Sequence, residues 1–236
     1  VVGHLIRVKN LCKRLGNFEL RDINLRVNSG EHLVILGPIG SGKTTLLKCI
    51  AGIFVPDSGT VEIDGRDVTK LPPEKRNLSY VPQDYKLFPH LNVAENVAFG
   101  LRVRGDSNVE GRVREMLELV GLTELSSGHV ERLSEGQKQL VAIARALAIR
   151  PSVLLLDEPF ARLDSVVKAR LRKKLARIHE ETETTIIHVT HDFEAALGLR
   201  SRVAVMDGGR LLQESSEVTG YLQERLGYIP VDLERG

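Results

Sequence analysis

The stretch Gly37-Pro38-Ile39-Gly40-Ser41-Gly42-Lys43-Thr44 has the spacing G-x-x-x-x-G-K-[ST], which is suited to gripping a polyphosphate. Glycines at 37, 40 and 42 permit backbone angles closed to other residues, so successive N–H groups can turn inward around one anion. A helix predicted to start here, over Thr45-Leu46-Leu47-Lys48-Cys49-Ile50-Ala51, adds unpaired donors and partial positive charge. Lys43 can reach the outer phosphates as a point charge, and the Thr44 hydroxyl is a ligand for Mg²⁺.

A second group with chemical capacity is Asp157-Glu158, which ends the apolar run Val153-Leu154-Leu155-Leu156. Two carboxylates at the end of a buried strand need compensating charge. Beside a phosphate loop that charge is Mg²⁺, which Asp157 can hold through water. Glu158, one residue on, can take a proton from an attacking water. The ordinary alternative is a structural salt bridge, against which strand, acid pair and phosphate loop occur together. His191 follows the strand Thr185-Ile186-Ile187-His188-Val189-Thr190, at the strand end where α/β sheets bind ligands. His4, His32, His90, His129 and His188 have no comparable context. Gln83 follows Leu78-Ser79-Tyr80-Val81-Pro82; proline ends the ladder, and taken alone Gln83 reads as a loop residue. Phe18 reads equally as a core ring or as a platform for a flat base.

The elements that must position these groups can be read from periodicity. Leu33-Val34-Ile35-Leu36 and Val153-Leu154-Leu155-Leu156 predict strands buried on both faces, as in a parallel sheet. His4-Leu5-Ile6-Arg7-Val8 and Ile23-Asn24-Leu25-Arg26-Val27 alternate, predicting short antiparallel strands beside the phosphate unit. Thr60-Val61-Glu62-Ile63 before Asp64-Gly65 predicts a hairpin. Asn92-Val93-Ala94-Glu95 and Ser134-Glu135-Gly136-Gln137 both have the spacing of a capping box. Between them Val113, Met116, Leu117 and Val120 keep helical spacing up to Gly121, a suitable C-terminal cap. A helix capped by Ser165 should carry Val167, Leu171, Leu175 and Ile178 inward. Its other face, with Lys168, Arg170, Arg172, Lys173, Lys174 and Arg177, reads as a solvated surface before it reads as a nucleic-acid surface. Residues 1–85 and 151–215 are expected to form the core with its antiparallel β part, 86–150 an inserted helical subdomain, and 216–236 a tail helix.

Composition narrows the function. A chain of 236 residues can bury a full core. A net charge of +2 with 27% charged residues gives no broad basic field, so no nucleic-acid partner is expected. Cys12 and Cys49 are far apart and outside any metal-binding spacing, which fits a reducing cytosol. No leader pattern opens the sequence, and no apolar run approaches the roughly 20 residues of a bilayer span. If the protein works at a membrane, other chains are expected to supply the crossing segments.

Together the residues resemble a family. Lys43 and Thr44, Gln83, Leu133-Ser134-Glu135-Gly136-Gln137, Asp157-Glu158, Leu163-Asp164 and His191 stand in the order seen in the nucleotide-binding subunits of ABC transporters. That resemblance implies an α/β fold of the P-loop NTPase type, with a mainly parallel core sheet, an N-terminal antiparallel β subdomain and an inserted helical subdomain. It implies a homodimer on ATP binding, in which each ATP with its Mg²⁺ lies between the loop Gly37 to Thr45 of one copy and the signature segment Ser134, Gly136 and Gln137 of the other. Glu158 would polarise water, His191 would hold the γ-phosphate, Gln83 would sense Mg²⁺ and the membrane partner, and Asp164 would connect the two sites. Phe18 would stack on adenine, with Leu15 the competing position. Implied partners are transmembrane permease subunits and, through them, a substrate-binding protein, with the chain peripheral on the cytoplasmic face.

Within the family, Lys13 to Phe18 and Val81 to Leu91 resemble molybdate or tungstate importers. The competing readings are a soluble ABC-type ATPase of DNA repair or translation, and a weakly hydrolysing nucleotide switch. Three places depart from the usual pattern: Glu135 replaces the second signature residue, commonly glycine, Ala161-Arg162-Leu163-Asp164 replaces the commoner Ser-Ala-Leu-Asp, and Leu140 stands where an arginine is frequent. A carboxylate facing a triphosphate would be opposed by about 1 kcal/mol even at the dielectric of water; pointing outward, Glu135 would be harmless.

Overall fold

Leu33 to Leu36 and Leu154 to Leu156 have no polar face to offer water, so both segments must be covered on two sides. The computed structural model, which describes residues 4–192 and 201–212, places them at the centre of the sheet. Strands β3 (His32–Leu36) and β7 (Val153–Asp157) are buried at every position. With β6 (Leu78–Val81), β8 (Thr185–Thr190), β9 (Arg202–Asp207) and β10 (Arg210–Leu212) they form a six-stranded sheet in the order β10-β9-β3-β8-β7-β6. All pairings in it are parallel except β9 with β10. Alternation along β7 divides the interior: Val153 and Leu155 face one core, Leu154 and Leu156 the other.

The first core lies between this sheet and a four-stranded antiparallel sheet of β1 (His4–Leu15), β2 (Phe18–Asn28), β4 (Ser58–Ile63) and β5 (Arg66–Asp67), ordered β2-β1-β4-β5. Helix α1 (Lys43–Ala51) contributes Leu46, Leu47 and Ile50 to the same core. The second core gathers α2 (Val93–Arg104), α3 (Val109–Val120), α4 (Glu135–Ala148) and α5 (Ser165–Thr182) against the opposite face of the sheet.

Both capping boxes form. Asn92 Oδ1 accepts from Glu95 N at 2.8 Å while Glu95 Oε2 accepts from Asn92 N at 2.9 Å. Ser134 Oγ accepts from Gln137 N at 3.3 Å and Gln137 Oε1 from Ser134 N at 2.9 Å.

Three boundaries differ from the sequence expectation. β1 and β2 are long, continuous partners, because register shifts between Val8 and Leu11 and again before Lys13 interrupt the alternation without ending the ladder. Helix α1 begins at Lys43, two residues before the apolar run that predicts it. The cap of α5 is Asp164, whose Oδ1 accepts from Val167 N at 3.0 Å, and Ser165 is the first helical residue. The expected tail helix over 216–236 lies outside the described residues.

Candidate phosphate-binding and hydrolytic site

Parallel register brings the chemistry together. Leu36 pairs with Thr190 and Asp157 with Val189, so the residues that follow β3, β7 and β8 emerge side by side. Gly37 N donates to Thr190 O at 3.2 Å and Glu158 N to Val189 O at 3.0 Å. At Gly37 a Cβ would lie 2.0 Å from Met206 O, so only glycine lets the loop leave β3 at this angle. Ser41 Oγ within the loop is buried without a hydrogen-bond partner, an orphaned polar atom of the kind that a bound polar group would satisfy.

Lys43 is buried, and its ammonium donates to Gly37 O at 2.8 Å and Pro38 O at 2.9 Å. Nζ also lies 3.8 Å from Glu158 Oε1. Burial lowers the lysine pKa, while Glu158 and Asp157 pull it back up. Thr44 Oγ1 donates to Asp157 Oδ1 at 2.7 Å, and Tyr80 Oη donates to Asp157 Oδ2 at 2.7 Å. Burial, then the bond to Asp157, pushes the Tyr80 phenol well up. Glu158 occupies left-handed backbone at φ 48°, a strained conformation for a residue with a side chain. Its Oε1 lies 2.9 Å from His191 Nδ1. Glu158 is therefore held between an ammonium and an imidazole, at the mouth of the phosphate loop.

Thr44 and Asp157 pass the test for magnesium. Their oxygens converge at hydrogen-bond distance, and hard oxygen donors are what Mg²⁺ takes. Among the described residues no three His, Cys, Asp or Glu side chains form a metal cage. An ion held by one carboxylate and by substrate phosphates is the usual magnesium arrangement.

Other expected residues lie further out. Gln83 is exposed beyond the end of β6. Phe18 and Leu15 line one cavity of about 360 Å³ with Gly40, Gly42, Lys43, Thr44 and Thr45, so both candidates for a base platform adjoin the phosphate loop. Ser134 and Gln137 bond to each other in their capping box, and Gly136 is packed so closely on α5 that a Cβ would lie 3.1 Å from Val167. Their helix α4 packs on α2, α3 and β6, whereas α1 packs on β6, β7 and β8. Within one chain the signature segment and the phosphate loop thus belong to different layers. Tyr80 is the residue that sequence reasoning missed. Its partnership with Asp157 depends on β6 lying next to β7, two strands more than 70 residues apart (|i−j| = 77).

A family model described as ABC transporter matches residues 20–161, from β2 through Asp157 and Glu158. The chain belongs to the ABC transporter family. Among ABC relatives, the molybdate/tungstate import ATP-binding protein WtpC of Thermococcus kodakarensis is 50% identical over 89% of this chain and 64% of its own length. The sulfate/thiosulfate import ATP-binding protein CysA of Rhodopseudomonas palustris is 45% identical over 98% of this chain and 71% of its own length. The chain spans 61–64% of the length of the WtpC relatives that it matches. Its ABC fold is similar to that of the ATP-binding cassette MJ0796, a dimeric post-hydrolysis state bound to ADP and Pi. That likeness has a TM-score of 0.75 at 31% identity, covering 87% of this chain and 96% of that one.

Proposed function

We propose that this chain is the ATP-binding and hydrolysing subunit of an ABC importer, working as a homodimer on transmembrane permease subunits at the cytoplasmic face of the membrane. The observation that carries the reading is the Lys43–Glu158–His191 constellation, set directly against the Thr44–Asp157 pair. The loop from Gly37 to Thr45 binds the triphosphate through backbone N–H groups, with Lys43 supplying point charge. Thr44 and Asp157 would hold magnesium, which when bound neutralises charge on the outer phosphates. Glu158, oriented by His191, accepts a proton from the attacking water. Phosphoryl transfer needs little else from a protein than positioning and charge stabilisation.

Ser134, Gly136 and Gln137 complete the site of the second copy, and Asp164 lies at the junction between the two sites. Phe18, with Leu15 beside it, faces the base. Gln83 reports nucleotide state to the permease. The likeness to a dimeric, ADP- and Pi-bound cassette supports this arrangement. Among the described residues no helix is long and apolar enough to cross a membrane, which fits permease partners that supply the spans.

The cargo is an oxyanion. The most similar relatives named above are importers of molybdate/tungstate and of sulfate/thiosulfate, and those anions share the chemistry of small oxygen-rich ions. Co-purification from native membranes, with identification of the attached chains, tests the reading. Permease subunits and an anion-binding protein are expected. A preparation bound only to nucleic acid or ribosomes would replace the reading with the soluble one.

A further inference from the structure

Glu135 and Arg162, two of the positions at which this chain departs from the commoner pattern, meet around one buried phenol. Tyr85, in the loop after Gln83, is 4% exposed, and it lines one cavity with Glu135 and Lys138 of α4 and with Arg162; burial and then the Glu135 carboxylate push its phenol up. The Arg162 guanidinium, on the segment between Glu158 and α5, lies over the Tyr85 ring at 5.9 Å from its centroid. Arg162 also attracts the Glu135 carboxylate. Glu135 Oε1 accepts from Lys138 Nζ at 2.8 Å. The carboxylate is thereby engaged by a lysine of its own chain, with the Tyr85 phenol and the Arg162 guanidinium around the same cavity.

The loop itself is under tension. Tyr85 and Lys86 are consecutive non-glycine residues in left-handed backbone, at φ 60° and 46°, a conformation that persists only where the surroundings enforce it. Arg145 of α4 donates to both of their carbonyls, at 2.8 Å each. Asn96 of α2 accepts from Phe88 N at 2.9 Å. Arg145 and Asn96 fix the backbone, and Tyr85 lies between the start of α4 and the segment after Glu158.

We propose that Glu135, Tyr85 and Arg162 are a positioning cluster, in which the two unusual residues compensate each other and lock the loop after Gln83 to the start of α4 and to the Glu158–Asp164 segment. The inference rests on the proposed function, because those three segments carry Gln83, Ser134 and Asp164. None of the three residues touches nucleotide in this assignment. Their effect is on how often the segments are aligned for turnover, so the maximal rate should respond and the affinity of the phosphate loop should not.

The test uses the full chain with Glu135→Gln, Tyr85→Phe, Arg162→Ala and the Glu135→Gln/Tyr85→Phe double variant. Hydrogen–deuterium exchange without nucleotide comes first, since it is independent of ATPase activity. Amides of residues 84–88 should exchange roughly threefold to tenfold faster in each single variant, the scale of one ordinary polar contact. The double variant should be no faster than the worse single one, because both residues act through the same cluster. With MgATP, kcat should fall by a similar factor with KM unchanged. Exchange that is unaltered, or effects that add in the double variant, would overturn the cluster. A wild-type chain that binds no MgATP would instead overturn the proposed function and leave the exchange result to judge the cluster by itself.

Discussion

At the scale of the residue, the proposed function makes Glu158 the group on which turnover should depend. It is ordered by His191 at 2.9 Å and by Lys43 at 3.8 Å, and its left-handed backbone turns the carboxylate into the site. Glu158→Gln preserves shape and loses the base. ATP turnover is expected to drop by roughly 10²-fold or more, with nucleotide affinity retained. Phosphate release measured at saturating MgATP checks this, and turnover at the wild-type rate would remove Glu158 from the mechanism. Lys43→Ala should act differently. Losing a buried ammonium on the phosphates should weaken ATP binding by at least roughly tenfold, as read by equilibrium nucleotide titration. The two variants together separate chemistry from grip.

At the scale of the element, the phosphate loop is only as firm as α1 behind it. The last carbonyls of a helix have no partner within the helix. Here Arg76, 2% exposed, supplies one: its guanidinium donates to Cys49 O and Ile50 O at 2.9 Å, to Leu71 O at 2.8 Å and to Thr69 O at 3.0 Å. A cation at a helix C-terminus also favours the helix dipole. Arg76→Met fills much of the volume but takes this donor from all four carbonyls, of which Cys49 O keeps its bond from Gly52 N at 3.2 Å. A loss of about 2–4 kcal/mol in urea unfolding is expected, and a change below about 0.5 kcal/mol would show that the carbonyls find other donors. Sequence periodicity located α1 and both capping boxes, because these are local patterns. It did not reveal Arg76 or Tyr80, since each acts on atoms contributed by distant segments.

At the scale of the molecule, three histidines meet where β3, β8 and α5 pack. The rings of His32 and His188 are 6.0 Å apart, and those of His32 and His179 5.4 Å. Both nitrogens of His188 and Nε2 of His32 are buried without hydrogen-bond partners. Burial, with the neighbouring imidazoles also acting on His32, pushes His32 and His188 down to about 3. In the unfolded chain the same side chains titrate near 6.5. Between those values the unfolded state binds protons that the folded state refuses, so stability falls as pH drops below about 6.5. The slope approaches about 1.4 kcal/mol per pH unit for each histidine. Urea midpoints from pH 7.5 down to 5 should show it, and His188→Leu should flatten the dependence; an unchanged slope would assign it to other groups. Assembly belongs to this scale too. With the signature segment and the phosphate loop in separate layers of one chain, Glu158→Gln at saturating ATP is expected to run as a dimer in light scattering. A monomer at high protein concentration would contradict the shared site.

The sequence by itself determined the chemistry and the family: a glycine-lysine-threonine loop, an acid pair after a wholly apolar strand, and two capping boxes. Each is a short-range pattern whose physics acts between near neighbours. Only the tertiary structure decided which of these groups meet. Parallel register set Glu158 beside His191 and Lys43, the order of strands gave Asp157 its tyrosine, and the packing of α4 directed Glu135 towards Tyr85. Such contacts join residues far apart in the chain, and they form only when burial of the two cores fixes the register and spacing of every strand and helix at once.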